Sequence, residues 1–188
     1  MRLPHLIGKD DRPTRPPLDR LFVLSHARLR LEREHQLAPR DTGAIVFHPV
    51  PPSDFVRILR CAEDAVEKTA AGSTVEGSND PFAFGRLVLR NDEFDELVVD
   101  VHAISVRLES AGWWEQLLCA VFSFEDPRER PTYWAFNYQS GTFYPIAPAI
   151  GSHQRDTQRE RVLKGQLRAD DTVQPELGAW FPLWGIPI

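Results

Sequence analysis

The amino-acid sequence predicts an α+β fold: one domain, a mixed or antiparallel sheet with helices mainly on one face, and a C-terminal aromatic tail packed on the core. Three observations carry that reading. Apolar residues recur at helical spacing in two long stretches. Apolar runs of strand length follow one another closely in the second half, joined by tight turns. The 188 residues, 42 % hydrophobic and 26 % charged, suit a single buried core. Hairpins segregated from helices, instead of strict alternation of the two, indicate α+β.

Each element follows from local pattern. Residues 8–17, GKDDRPTRPP, are charged and proline-rich, so residues 1–18 are expected to be a flexible arm and residues 19–188 the domain. The run LFVL opens the folded part. Residues 25–37 mix strand-like alternation (Ala27, Leu29, Leu31) with helix formers (Glu32, Glu34, Gln36), and we read them as helix. GAIVFHPV at 43–50 is a β-branched run that two prolines end, hence a buried strand. Ser53 or Asp54 can then cap a helix whose stripe is Phe55, Leu59, Ala62, Val66 and Thr69, closed by Gly72. GSTVEGSND reads as a surface loop.

In FAFGRLVLR, residues 82–90, Arg86, Val88 and Arg90 share one side of a strand and Leu87 and Leu89 the other. Asn91 or Asp92 caps the most regular helix, whose face is Phe94, Leu97, Val98, Val101, Ile104, Ser105 and Leu108, with Gly112 closing it. QLLCAVFSF at 116–124 is apolar on both sides and belongs in the middle of a sheet. EDPRERP turns the chain, TYWAFNYQ at 132–139 returns antiparallel, and GTFYPI adds a third strand. Residues 152–168 are helical again, with Val162, Leu163 and Leu167 as their large apolar residues.

Charge and composition narrow the function classes. Lys plus Arg is 22 and Asp plus Glu is 27, a net charge of −5, which argues against a nucleic-acid binder. Cys61 and Cys119 sit in apolar patterns and read as small buried hydrophobes. The N-terminus lacks the form of a signal peptide, and no run is long and apolar enough to span a bilayer, so a cytoplasmic location is expected. Phosphate-binding glycine loops, zinc-protease helices and nucleophile elbows are missing, and nothing implies a cofactor.

Four features stand out as candidate sites. Asp95, His102 and Glu109 recur every seven residues along one helix edge, a spacing that could serve a metal or an acid–base pair. Seven residues rise about 10.5 Å, so another element, such as the one carrying His48 or His153, would have to contribute; charged residues bordering a buried face are the plainer reading. The helix at 152–168 holds Arg155, Arg159, Arg161, Lys164 and Arg168, a basic surface suited to anionic lipid or an acidic partner. Phe143 and Tyr144 lie between Gly141 and the prolines Pro145 and Pro148, where they fit an edge strand or a peptide groove. The final WFPLWGIPI carries no charge; its prolines preclude an inserted helix, so Trp180, Phe181 and Trp184 are expected to fold back onto the domain.

The blocks DFVRILRCAEDAVE, LVVDVHAISVRLESAG with QLLCAVFSF, GTFYPIAP, RDTQRERVLKGQL and WFPLWGIP resemble successive segments of the PspAB family, from about Asp19 to the end. Residues 152–168 are richer in arginine than the family pattern, and the arm before Asp19 has no counterpart. The resemblance implies a non-enzymatic accessory protein, associated with phage-shock protein A in bacterial envelope-stress systems and acting by contact with a PspA-like membrane-associated coiled-coil protein. It supplies no catalytic residues. The contact residues expected on chemical grounds are Phe143, Tyr144, Arg155, Trp180, Phe181 and Trp184, large aromatic and guanidinium groups of the kind that dominate interfaces. A peripheral membrane-surface protein, or a small metal-dependent enzyme using Asp95 and His102, are the competing expectations.

Overall fold

The computed structural model describes residues 15–69, 71–79, 84–149, 154–167 and 173. Within them lie the helices α1 (Phe22–His35), α2 (Pro52–Thr69), α3 (Phe94–Ser110) and α4 (Thr157–Lys164). The strands are β1 (Ala38–Phe47), β2 (Thr74–Asn79), β3 (Gly85–Arg90), β4 (Leu117–Glu125), β5 (Pro131–Asn137) and β6 (Thr142–Ile146). They form one six-stranded antiparallel sheet in the order β2-β3-β1-β4-β5-β6. The hairpin β2–β3 and the meander β4–β6 flank β1, whose last six residues are buried between them.

Register explains how the two faces differ. One row across the sheet runs Phe143, Phe136, Ala120, Ile45, Leu87, Gly77, and the next on the same side runs Pro145, Trp134, Phe122, Gly43, Leu89, Val75. This is the helix side. A Cβ on Gly43 would touch Leu97 of α3, and one on Gly77 would meet Phe55 and Leu59 of α2 within 3.0 Å. The large core built there takes in α1 through Leu24, Ala27 and Leu31, and Phe94 presents its edge to Phe122 and Phe124 at 5.9 and 5.2 Å. Leu163 and Leu167 join the same core, so α4 lies on this side too.

The expected α+β class is what the chain forms. All seven residues of the expected α3 face are buried, and Gly112 closes the helix at φ 89°. On α2 the buried stripe is Ile58, Ala62, Ala65 and Val66; of the expected stripe Ala62 and Val66 are buried, while Phe55, Leu59 and Thr69 are half-buried along its edge. The alternation of Arg86, Val88 and Arg90 against Leu87 and Leu89 holds: the leucines have no exposed surface. Central placement of β4 holds as well.

Four expectations are corrected. Residues 74–79, expected as loop, are the edge strand β2; their Glu, Gly, Ser and Asn have low strand propensity, but pairing with β3 supplies what the side chains do not. β1 starts at Ala38 and ends at Phe47, five residues earlier than expected at its start, with a register irregularity between Pro39 and Gly43. The α3 N-cap is Glu93 without a side-chain cap; Asn91 instead accepts from the Glu93 amide at 2.9 Å. α4 covers only residues 157–164, capped by the Asp156 side chain on the Arg159 amide.

Residues 15–18, the last of the expected arm, are docked: Arg15 pairs with Glu109 and Leu18 is buried. Residues 1–14, His153, Arg168, and the tail with Trp180, Phe181 and Trp184 lie outside the described residues. Among the described helices none is long and apolar enough to cross a membrane.

Candidate interaction surface

The seven-residue stripe on α3 has a structural use. Asp95 pairs with Arg28 at 3.3 Å, His102 Nε2 lies 3.0 Å from Asp19 Oδ1, and Glu109 pairs with Arg15 at 3.3 Å. The partners come in reverse sequence order, since α1 and the turn before it run antiparallel along α3. The His102 ring also lies 4.7 Å from the ring of Phe22. These pairs are partly solvated and are each worth about 0–1 kcal/mol, so they set register more than stability. The three side chains engage separate partners and do not converge. Among the described residues no group of three His, Cys, Asp or Glu could hold a metal ion. His48 is exposed at the end of β1.

Phe143 and Tyr144, expected as partner contacts, have no exposed surface. Adjacent residues of a strand point to opposite faces, and both faces are covered at β6. Phe143 packs on Phe136 at 5.2 Å on the helix side. Tyr144 lies on the other side, hydrogen-bonded to Cys119, whose thiol burial pushes up to about 12 against the opposing pull of that bond. Such a thiol is inert at neutral pH, as its apolar setting in the sequence suggested.

Arg155 is partly buried, with its guanidinium turned into the protein. Its Nε donates to Glu160 Oε1 at 2.7 Å, the same oxygen that accepts from the Ala147 amide, and Glu160 has no exposed surface. Arg159 donates to Thr132 Oγ1 and to the carbonyls of Arg130 and Pro131, and sits 3.5 Å from Asp126. Burial would raise the Asp126 pKa, but the bonds from Arg130 hold it below the usual carboxylate value. Arg159 on α4 and Arg155 just before it thus turn inward, leaving Arg161 and a 62 % exposed Val162 outside.

A different surface emerges between α2 and α3. An open groove of about 410 Å³ has Ala65, Ala103 and Val106 along it, Lys68 and Arg107 at its rim, and Thr69, His102 and Ser110 around them. Val106 is 40 % exposed, on the opposite side of α3 from the core. Helical spacing carries Ala103, Val106 and Ser110, three to four residues apart, along the outer side of α3. The sequence showed those residues only as the unremarked complement of the buried stripe; which helix lies beside α3 is a tertiary fact.

Beside the groove a polar contact joins the two helices. Asp100, fully buried on α3, accepts from the Thr69 hydroxyl at the end of α2, and its second oxygen has no partner. Replacing Thr69 with valine should therefore cost about 2 kcal/mol, since it strands a buried carboxyl group. Urea unfolding of Thr69→Val and Thr69→Ser checks this: the serine variant, which keeps the hydroxyl, should retain most of the stability.

The fold and this surface define a single-domain α+β protein with its described helices gathered on one side of the sheet and an open, basic-rimmed groove between two of them. The chain belongs to the PspAB family: the family model described as PspA associated protein B matches residues 1–188, so the match includes the arm as well as the blocks from Asp19 onward. No curated protein and no solved structure matches the chain.

Proposed function

We propose that the protein is an accessory component of a bacterial envelope-stress system, working on the cytoplasmic side of the membrane, and that it acts by binding a helix of a PspA-like coiled-coil protein in the α2–α3 groove. The observation that carries this reading is the full-length family match, whose description is association with PspA. The groove fits such a partner in form. Two antiparallel helices present a furrow into which a third can lay its apolar ridge, and Lys68 and Arg107 favour a helix with acidic flanks.

Titration of the full chain against the purified PspA-like protein tests it. Val106→Glu places a charge on the apolar line of the groove at an exposed position, so folding should be unaffected while affinity falls at least tenfold. Lys68→Glu with Arg107→Glu should weaken binding further and reduce its salt dependence. Val106→Glu binding as tightly as the parent protein would remove the groove from consideration, and no binding by the parent at micromolar concentration would remove the contact itself.

A further inference from the structure

The face of the sheet away from the helices is covered on one half only. Its central row runs Tyr144, Ala135, Val121, Ala44, Val88, Glu76 from β6 to β2, and the adjacent row runs Thr142, Asn137, Cys119, Val46, Arg86, Ser78. On β6, β5, β4 and β1 this face is mostly apolar and largely hidden, with Thr142 and a half-buried Asn137 as its polar members: Tyr144, Ala135, Val121 and Ala44 have no exposed surface, and Cys119, Val46 and Ile146 show 5 % or less. On β3 and β2 it is polar and open, with Glu76, Ser78 and Arg90 exposed. Side chains standing on a sheet shield one another laterally but do not hide an alanine from above. Yet α1 to α4 all pack on the opposite face.

We propose that residues 174–188 of this same chain are the cover, with Trp180, Phe181 and Trp184 seated over Tyr144, Ala135, Val121 and Ala44. Val173 forms a parallel bridge with Phe143, at the outer edge of β6. The chain therefore arrives at the border of the hidden half, and of residues 174–188 that follow, 180–188 (WFPLWGIPI) carry no charged side chain. Crossing from β6 to β1 takes three strand spacings, roughly 14 Å. Fifteen residues reach up to about 50 Å, so length is ample. Prolines at 182 and 187 suit an extended strap that lies across strands without joining their hydrogen-bond ladder. The N-terminal arm fits less well. Residues 8–12, GKDDR, are charged, and the arm meets the body on the other face, where Arg15 lies over Trp114 and pairs with Glu109.

Beyond β1 this face continues into Arg86, Arg90 and Glu76, which an uncharged segment has no chemistry to cover. The aromatic tail is thereby committed to the protein's own sheet, and the groove between α2 and α3 remains the surface for a partner. This inference stands independently of the proposed function.

Intramolecular crosslinking of the full chain tests it directly. With p-benzoylphenylalanine in place of Trp184, irradiation at low protein concentration should crosslink residue 184 to peptides from β4, β5 or β1 within the same chain. Crosslinks to α1–α4 instead, or only between chains, would overturn the proposal, the latter pointing to a second copy as the cover. A second readout uses Cys119 in a Cys61→Ser background, where it is the only cysteine. Its thiol should resist a soluble disulfide reagent in the full chain and react at least a hundredfold faster once residues 178–188 are deleted. Adding the WFPLWGIPI peptide should restore protection if the shortened chain is folded. A folded deletion variant whose Cys119 stays unreactive would contradict the assignment.

Discussion

Arg155→Ala is expected to destabilise the protein by about 3–5 kcal/mol, because it leaves the Glu160 carboxylate buried with its charge uncompensated. Glu160 has no exposed surface; Oε1 receives the Ala147 amide and Arg155 Nε, and Oε2 has no partner. The pair also joins α4 to the chain leaving β6, where Pro148 and Arg155 form a backbone bridge and the Asp156 amide bonds to the Ala147 carbonyl at 2.8 Å. Losing the cation should therefore loosen the whole 147–160 connection. In urea the midpoint should fall with little change in slope, and heating should show a drop of roughly 6–20 °C for a chain of this length. Arg155→Met combined with Glu160→Gln should recover more than half of the loss, since glutamine keeps an acceptor for the Ala147 amide and removes the charge. A single variant with unchanged stability would mean that water compensates Glu160. The residue expected as a partner contact is thus placed to hold the fold.

Gly85→Ala is expected to cost about 3 kcal/mol, more than most single methyl additions. A Cβ at this position would lie 2.1 Å from Phe47 Cε2 and 2.5 Å from Cζ. Gly85 pairs directly with Phe47 across β3 and β1, so the ring lies over the glycine as if it were a socket. The ring cannot swing away freely: it is 1 % exposed and faces Phe55 of α2 at 6.4 Å. Either Phe47 leaves its rotamer or the two strands separate. Adding Phe47→Leu should return part of the loss, so the double variant will be more stable than the sum of the two single costs predicts. Additive costs would place the strain elsewhere.

Much of the fold was legible because periodicity reports which side of an element is buried. The α3 face and the alternation in β3 each follow from spacing alone. β2 was not legible. Gly77 and Ser78 carry little strand signal, and the strand exists because β3 offers an unpaired edge beside α2, where Gly77 admits Phe55 and Leu59. The candidate contacts fared differently for a related reason. Phe143, Tyr144 and Arg155 have the chemistry of interface residues, but the same chemistry serves a core and a buried ion pair, and composition does not distinguish the two.

The same division holds for the polar groups. The spacing of Asp95, His102 and Glu109 placed them on one edge of one helix. It took the antiparallel course of residues 15–28 along that edge to give each a separate partner and remove a shared site. The α2–α3 groove is likewise a property of two helices separated by a hairpin, with Thr69 and Asp100 joining them. By itself the sequence determined the α+β class, the inner face of α3 and the alternation in β3, since these depend on residues close together in the chain. Tertiary structure decided which charged groups are spent on the fold and which surface is left open. Those outcomes rest on contacts between residues dozens of positions apart, where burial, and not residue type, sets what a side chain can do.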